Sequence, residues 1–279
     1  MSSVLYSVLI RTFNSENTLR RTLSSLESQT IQPNKHIIVD SGSIDKTLSI
    51  IPLNSVVHMY STSNFNYSES LNIGVQYADD DYLLIVSSHT SIENNRAIEF
   101  AIGVLERNAD IAAAYFVQEL SDDIRFERIG RHNFSGFNGL WNTCAIYKTR
   151  YLKKRPFRPE VFSAEDQEWS SWLFLDTQLS IAKISGAGMS YNNPAGSTLR
   201  KSLNERLSVA IFTKPEMQGF WFLARTLYRA VRPVSSLRER AINLLLLGSI
   251  VRYRFGRKHN QKHPRVAARD TTFKSSKLE

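Results

Sequence analysis

The chain has 279 residues, 42% of them hydrophobic, a single cysteine (Cys144) and a formal net charge of +9. That length supplies one large domain, or one domain with an appendage, and a lone thiol excludes a disulfide framework and suits a reducing compartment. The charge is lopsided: residues 1–199 carry 17 Lys/Arg against 21 Asp/Glu, a balance of −4, whereas residues 200–279 carry 18 against 5, a balance of +13. A near-neutral body with a basic extension that meets an anionic surface is the reading this supports.

Strand-like and helix-like patterns alternate over the first 120 residues, as expected of an α/β fold with a Rossmann-like, mostly parallel sheet flanked by crossover helices. Residues 5–10 form an apolar run that ends at Arg11-Thr12. Leu19, Leu23 and Leu26 then recur at helical spacing behind Asn14 or Ser15 as N-cap. Residues 36–39 are a short buried strand that delivers Asp40; Gly42 and Ser43 make a turn, and Asp45 starts a short helix. A third strand is expected at 56–60, a helix at 68–78, a fourth strand at 82–86, a helix at 96–108 and a strand at 111–117. Residues 121–150 lose periodicity and gain Gly and aromatics, which predicts a substrate-side loop before a strand at 144–147. An aromatic-rich helix follows at 165–175 and a strand at 179–184. Beyond Pro194 come helices rich in Arg, Leu and aromatics, then a polar basic tail from Arg257. Met1-Ser2-Ser3-Val4 lacks a basic start followed by a long apolar stretch, so no signal peptide is expected. The apolar run 241–251 is shorter than the roughly 20 residues that span a bilayer.

Three segments carry a family resemblance. Ser7-Val8-Leu9-Ile10-Arg11-Thr12-Phe13-Asn14, then Leu23 through Gln29-Thr30, then Val39-Asp40-Ser41-Gly42-Ser43-Ile44-Asp45, in that order, resemble family 2 of the inverting glycosyltransferases over about residues 4–200. The resemblance implies a GT-A fold, a nucleotide-diphosphate sugar as donor, and Thr12 and Asn14 lining the nucleotide cleft with Glu16 beside them. It gives Asp40 the task of accepting the base N–H of a uracil or thymine ring. Asn66 to Gly74 resembles the segment that opens the third helix in such enzymes, with Asn72 toward the donor. Ligands in open parallel sheets bind beyond the carboxyl ends of the strands, where Thr12, Asp40 and Ser87 fall, and an ionised acceptor makes the stronger bond to an imide N–H. The plainer use of Asp40 is to cap a turn.

The fourth strand departs from the family pattern. Where most relatives have Leu-Asp-x-Asp holding a divalent cation, this chain has Val86-Ser87-Ser88-His89-Thr90, similar to a rhamnosyltransferase-like subset with His at the last position. Paired carboxylates for Mn or Mg are lacking, so weak or no metal dependence is expected, and His89 is assigned to the diphosphate or to a metal. Asn193 stands near where relatives place a further metal-ligating His and is a poor substitute. Arg200 and Lys201 are the basic candidates for the leaving diphosphate.

The doublet Glu165-Asp166 matches the family's catalytic acids, with Asp166 as the general base that takes the acceptor's proton; a helix N-terminus also welcomes acids through its dipole. Glu168 reads as an exposed helix residue. Trp141 and Trp169 either stack on sugar or belong to the core. The expected partners are an NDP-sugar donor, a glycan or lipid-linked acceptor, an anionic membrane surface and a second copy of the chain, with no nucleic acid. The domain boundary is placed between residues 1–200 and 201–279, and the location at the cytoplasm or the cytoplasmic face of the membrane. The reading from a different class is a catalytically inactive scaffold that binds nucleotide or glycan.

Overall fold

A computed structural model describes residues 5–60, 65–192, 196, 198–232 and 236–256. Asn193 and the tail from Arg257 lie outside the described residues. The chain divides into a unit ending at Met217 and a second beginning at Gln218.

In the first unit, β1 (Tyr6–Thr12), β2 (Lys35–Asp40), β3 (Val56–Met59) and β4 (Tyr82–Ser87) pair in parallel in the order β3-β2-β1-β4. Helices α1 (Glu16–Glu27), α2 (Tyr67–Gln76) and α3 (Ala97–Arg107) lie between them or follow them in the chain. The sheet continues through β8 (Cys144–Lys148), β6 (Ile111–Phe116), β9 (Ser180–Ala187) and β7 (Leu120–Ile129) to eight strands. Here β8 runs antiparallel to both β4 and β6, β6 and β9 are parallel, and β7 closes the edge antiparallel to β9. A separate two-stranded ribbon pairs β5 (Thr90–Ile92) with β10 (Met189–Tyr191). The unit also contains α4 (Thr149–Lys154), α5 (Glu165–Trp172) and α6 (Leu199–Ser208). The second unit is a pair of helices, α7 (Phe220–Val231) and α8 (Leu237–Gly256).

The continuous apolar run of β1 follows from burial on both faces. Tyr6, Val8 and Ile10 pack with Leu19, Leu23 and Leu26 of α1 and with Ile98 and Ile102 of α3. Leu9 faces the other layer, with Leu71 and Val75 of α2. That second approach is close: a Cβ on Gly74 would stand 2.2 Å from Leu9 Cδ1. Gly74→Ala therefore overpacks the core and costs about 1–3 kcal/mol, measured as a shift in the denaturant midpoint; an unchanged midpoint would show that α2 does not press on β1 there.

The region expected to be a loop before residue 144 contains a ten-residue strand, β7. It is the edge strand and most of its residues are half or fully exposed, so no apolar alternation marks it. Its register also breaks between Leu120 and Arg125, opposite Gly186, which has a φ of +85° and no Cβ; an added one would stand 2.2 Å from the Asp123 carbonyl oxygen. The helix expected at 165–175 is α5 followed by a wider π turn, Leu173–Thr177.

Candidate active site

The carboxyl ends of β1 and β2 lead into two loops that are stitched together. The Thr12 hydroxyl donates to Asp40 Oδ2 at 2.7 Å. The Asn14 N–H donates to Ser43 Oγ, while Asn14 Oδ1 accepts the Ile44 N–H. The Ser15 N–H donates to Thr47 Oγ1. At the start of α1 the Glu16 N–H donates to Asp45, and the Glu16 carboxylate accepts the Lys46 N–H. Asn14 sits in the left-handed region at φ 47°, a conformation that Asn tolerates better than most residues.

Asp40 is the centre of this stitching and is 0% exposed. Oδ1 accepts the N–H groups of Gly42 and Ser43, and Oδ2 accepts the hydroxyls of Thr12 and Ser43. A carboxylate has about four lone-pair positions, so its capacity is filled by its own loop. The turn-capping use of Asp40 is the one its geometry displays, and direct contact with a base N–H requires one of the hydroxyls to turn away.

At the end of β4, Ser88 is buried with its hydroxyl 2.9 Å from that of Ser15, and Ser87 receives the His89 N–H at 3.4 Å. His89 Nδ1 lies 2.8 Å from Thr18 Oγ1, and the pairing of β5 with β10 brings Tyr191 near the imidazole, with ring centroids 6.5 Å apart. Burial first, then the neighbouring charge of Lys201, lowers the His89 pKa below its ordinary value. His89 is therefore mostly the neutral imidazole near pH 7, and Lys201 supplies the positive charge that acts on it.

Because β8 is antiparallel to β4, it enters the sheet at the edge where β4 leaves it: Val86 faces Cys144, and the Ser87 N–H donates to the Thr143 carbonyl. The residue just before, Asn142, holds both acids of α5. Its N–H donates to Asp166 Oδ2 at 2.9 Å, its side-chain amide donates to Glu165 Oε1, and its own Oδ1 accepts the Tyr147 hydroxyl. Ala164, in the left-handed region at φ 56°, turns the chain into α5. Asp166 is 8% exposed. Burial, then the Glu165 carboxylate, pushes its pKa up to about 8, against the pull of the Asn142 and Gln167 N–H groups. Asn142 carried no signal in the sequence, because nothing about an Asn before a strand announces two carboxylate partners.

Asp40 and Asp166 thus lie along one rim of the sheet. The strands β2, β1, β4 and β8 are adjacent in that order, and three spacings of about 4.8 Å place their ends on the order of 15 Å apart. Between them stand Thr12, Ser88 and His89. On the Asp166 side, α6 contributes two charges: Glu205, held above its ordinary pKa by burial against the opposing pull of Lys201, and Lys201 itself. Glu205 is a further group the sequence did not single out.

Other candidates are placed elsewhere. Both ends of the Asn72 amide are engaged by the Phe157 backbone, at 2.7 and 2.9 Å, so Asn72 clips a loop in place of a donor contact. Trp169 is 0% exposed among Tyr147, Phe157 and Trp172, and its indole N–H donates to the Arg155 carbonyl; it is core, not a sugar platform. Glu168 is buried and paired with Arg155 and Arg158 rather than exposed, because α5 is surrounded on all sides. Arg200 is exposed on the first turn of α6. Trp141 is half-buried, T-shaped against Tyr191 at 5.8 Å, and lines a hollow of about 370 Å³ together with Phe137, Gln167 and Lys183. Among the described residues no three His, Cys, Asp or Glu side chains gather as a metal site. The turn after β4 offers hydroxyls and one imidazole, a poor set for Mn or Mg, which favour carboxylate oxygens.

Comparison with known proteins agrees with this architecture. A family model described as glycosyl transferase family 2 matches residues 7–164. Glycosyltransferase GlyA of Streptococcus pneumoniae is 23% identical over 188 residues, 65% of this chain, which spans 27% of that relative's length. The crystal structure of S. aureus TarS 1-349 in complex with UDP-GlcNAc superposes with a TM-score of 0.58 at 19% identity, covering 89% of this chain and 81% of that one. Glucosyl-3-phosphoglycerate synthase from Mycobacterium tuberculosis, in complex with Mn2+, UDP and phosphoglyceric acid, superposes with a TM-score of 0.55 at 15% identity, covering 75% and 77%.

Proposed function

The chain belongs to glycosyl transferase family 2, and from that premise we propose that it transfers a hexosyl or deoxyhexosyl group, with inversion, from a nucleotide-diphosphate sugar to a hydroxyl of a glycan or lipid-linked oligosaccharide. The observation that carries this reading is the common rim: stitched loops at the ends of β1 and β2, a half-buried Lys201 beside His89, and a buried carboxylate of raised pKa at the head of β8. A nucleoside diphosphate sugar laid along the rim spans that distance. The base and ribose rest against the Thr12, Asn14, Glu16 and Ser43 loops, with Asp40 fixing their shape. The diphosphate reaches Ser88, His89 and Lys201, and the anomeric carbon comes near Asp166.

The reaction is then one in-line displacement. The acceptor oxygen bonds to the anomeric carbon as the bond to the diphosphate oxygen breaks, and the hydroxyl proton passes to Asp166. Lys201 compensates the charge developing on the leaving diphosphate. Glu165, tied to Asn142, keeps the proton affinity of Asp166 high. The acceptor sugar lies over Trp141, and the enzyme works at an anionic membrane surface, as a monomer or with a second copy.

A base with a pKa near 8 works only when deprotonated. Turnover per free enzyme and donor therefore rises with pH through neutrality and falls about tenfold per unit well below the pKa. A flat profile between pH 6 and about 9 contradicts the assignment. The donor set at the end of β4 supports weak metal dependence: chelation leaves turnover essentially unchanged, and a loss restored by added Mn would overturn that. Turnover and calorimetry across UDP-, GDP- and dTDP-sugars test the whole reading. The missing strand-end acids also favour a second one, an inactive scaffold; nucleotide binding with no transfer to any acceptor of the panel would select it.

A further inference from the structure

The second unit presents an unusual surface. Helix α7 buries only Thr226 and Ala230 and half-buries Phe222 and Leu223; these lie on one face, and α8, which packs against α7, buries Ile242, Leu246 and Ile250. Arg254 donates to the Gln218 carbonyl, so the end of α8 meets the start of α7 and the two helices are antiparallel. The opposite side of α7 is exposed yet apolar: Phe220 at 73%, Trp221 at 83%, and Leu227, Tyr228 and Val231 all more than half exposed. Projected at about 100° per residue, Leu227, Phe220, Val231, Ala224, Tyr228 and Trp221 follow one another around an arc of about 120°. Arg232, Arg225 and Arg229, all exposed, fill the next 60° or so.

We infer that this face of α7 is an interfacial anchor that lies flat on a lipid bilayer rich in anionic headgroups, the membrane contact of the function proposed above. A helix with bulky apolar residues on one side and arginines along its edge sinks the first into the acyl boundary and leaves the second at the phosphates. Charge selects lipid over another protein surface: residues 218–256 carry seven arginines against one acid, Glu239. Among the described residues no helix is long and apolar enough to cross a membrane, which fits an element that lies on the surface.

The full chain is tested by co-sedimentation with vesicles of phosphatidylcholine alone and of phosphatidylcholine mixed with phosphatidylglycerol. It sediments with the mixed vesicles, weakly with the neutral ones, and is released by salt. The emission of Trp221, taken as the difference from a Trp221→Phe variant, shifts to the blue on binding. Arg225→Gln/Arg229→Gln/Arg232→Gln weakens binding on the order of 100-fold, and Phe220→Ser/Trp221→Ser/Leu227→Ser abolishes it, with circular dichroism and nucleotide-sugar turnover in solution unchanged for both. No sedimentation with mixed vesicles overturns the inference. So does an apolar-face variant that binds like the parent, or a parent dimer that the same variant converts to monomer. Turnover in solution reports on the first unit, so loss of anchoring and failure of the proposed activity are read separately.

Discussion

Asp166→Asn lowers transfer by about 10²–10⁴-fold while leaving nucleotide binding and the fold in place. The side chain is held by the Asn142 and Gln167 N–H groups, and an amide of the same shape keeps a carbonyl for one of them. What it loses is the capacity to accept the acceptor's proton. Glu165→Gln is the control: it removes the neighbouring negative charge that helps raise the Asp166 pKa, so the acid limb of the pH profile moves to lower pH with a smaller loss at its plateau. If Asp166→Asn retains turnover, the base is another group, with Glu165 and Glu205 the other carboxylates that act on this end of the rim. The comparison is read in initial rates with the donor at saturation.

Asp40→Ala has the other large effect, and on a different quantity. It strips four hydrogen bonds from a fully buried position and orphans the N–H groups of Gly42 and Ser43. At about 1 kcal/mol net for each of the four bonds lost, the loss is on the order of 4 kcal/mol, seen in urea or thermal unfolding. Nucleotide affinity falls with it, because the loops after β1 and β2 are joined through this carboxylate. Ser43→Ala removes one hydroxyl donor to Asp40 together with the acceptor of the Asn14 N–H, and leaves the other three bonds to Asp40, so it frees one acceptor position at a smaller cost to stability than Asp40→Ala. Tighter nucleotide binding by Ser43→Ala would mean that Asp40 meets the base directly. Unchanged stability in Asp40→Ala would mean that the stitched loops hold without it.

Much of the first unit was legible because its strands and helices carry strong local signals. The apolar run 5–10, buried from Tyr6 onward, the Leu19-Leu23-Leu26 stripe and the Asp45 cap all predict elements that the structure contains, the last a short 3-10 helix over Lys46–Ile50. The edge strand β7 was not legible, since half-exposed polar residues with a bulge have no period to read. At the site, the acids were visible as a doublet, but their holder was not. Asn142 acts through its backbone and both ends of its amide, and such contacts depend on β8 entering beside the end of β4, a topological fact. Asn72 and Trp169 are the converse. Their residue types suit a sugar site, yet local packing uses Asn72 on the Phe157 backbone and Trp169 in the aromatic core. His89 was placed at the rim from its position after β4, whereas its neutrality comes from burial and from Lys201 on a helix more than 100 residues away in sequence.

A crystal structure with a bound nucleotide sugar is the most direct trial of the shared rim. It should place the base against the loops of Thr12 and Asn14, the diphosphate beside His89 and Lys201, and the anomeric carbon within reach of an acceptor oxygen that hydrogen-bonds Asp166. A donor seated on another surface, or one whose anomeric carbon points away from Asp166, would contradict it.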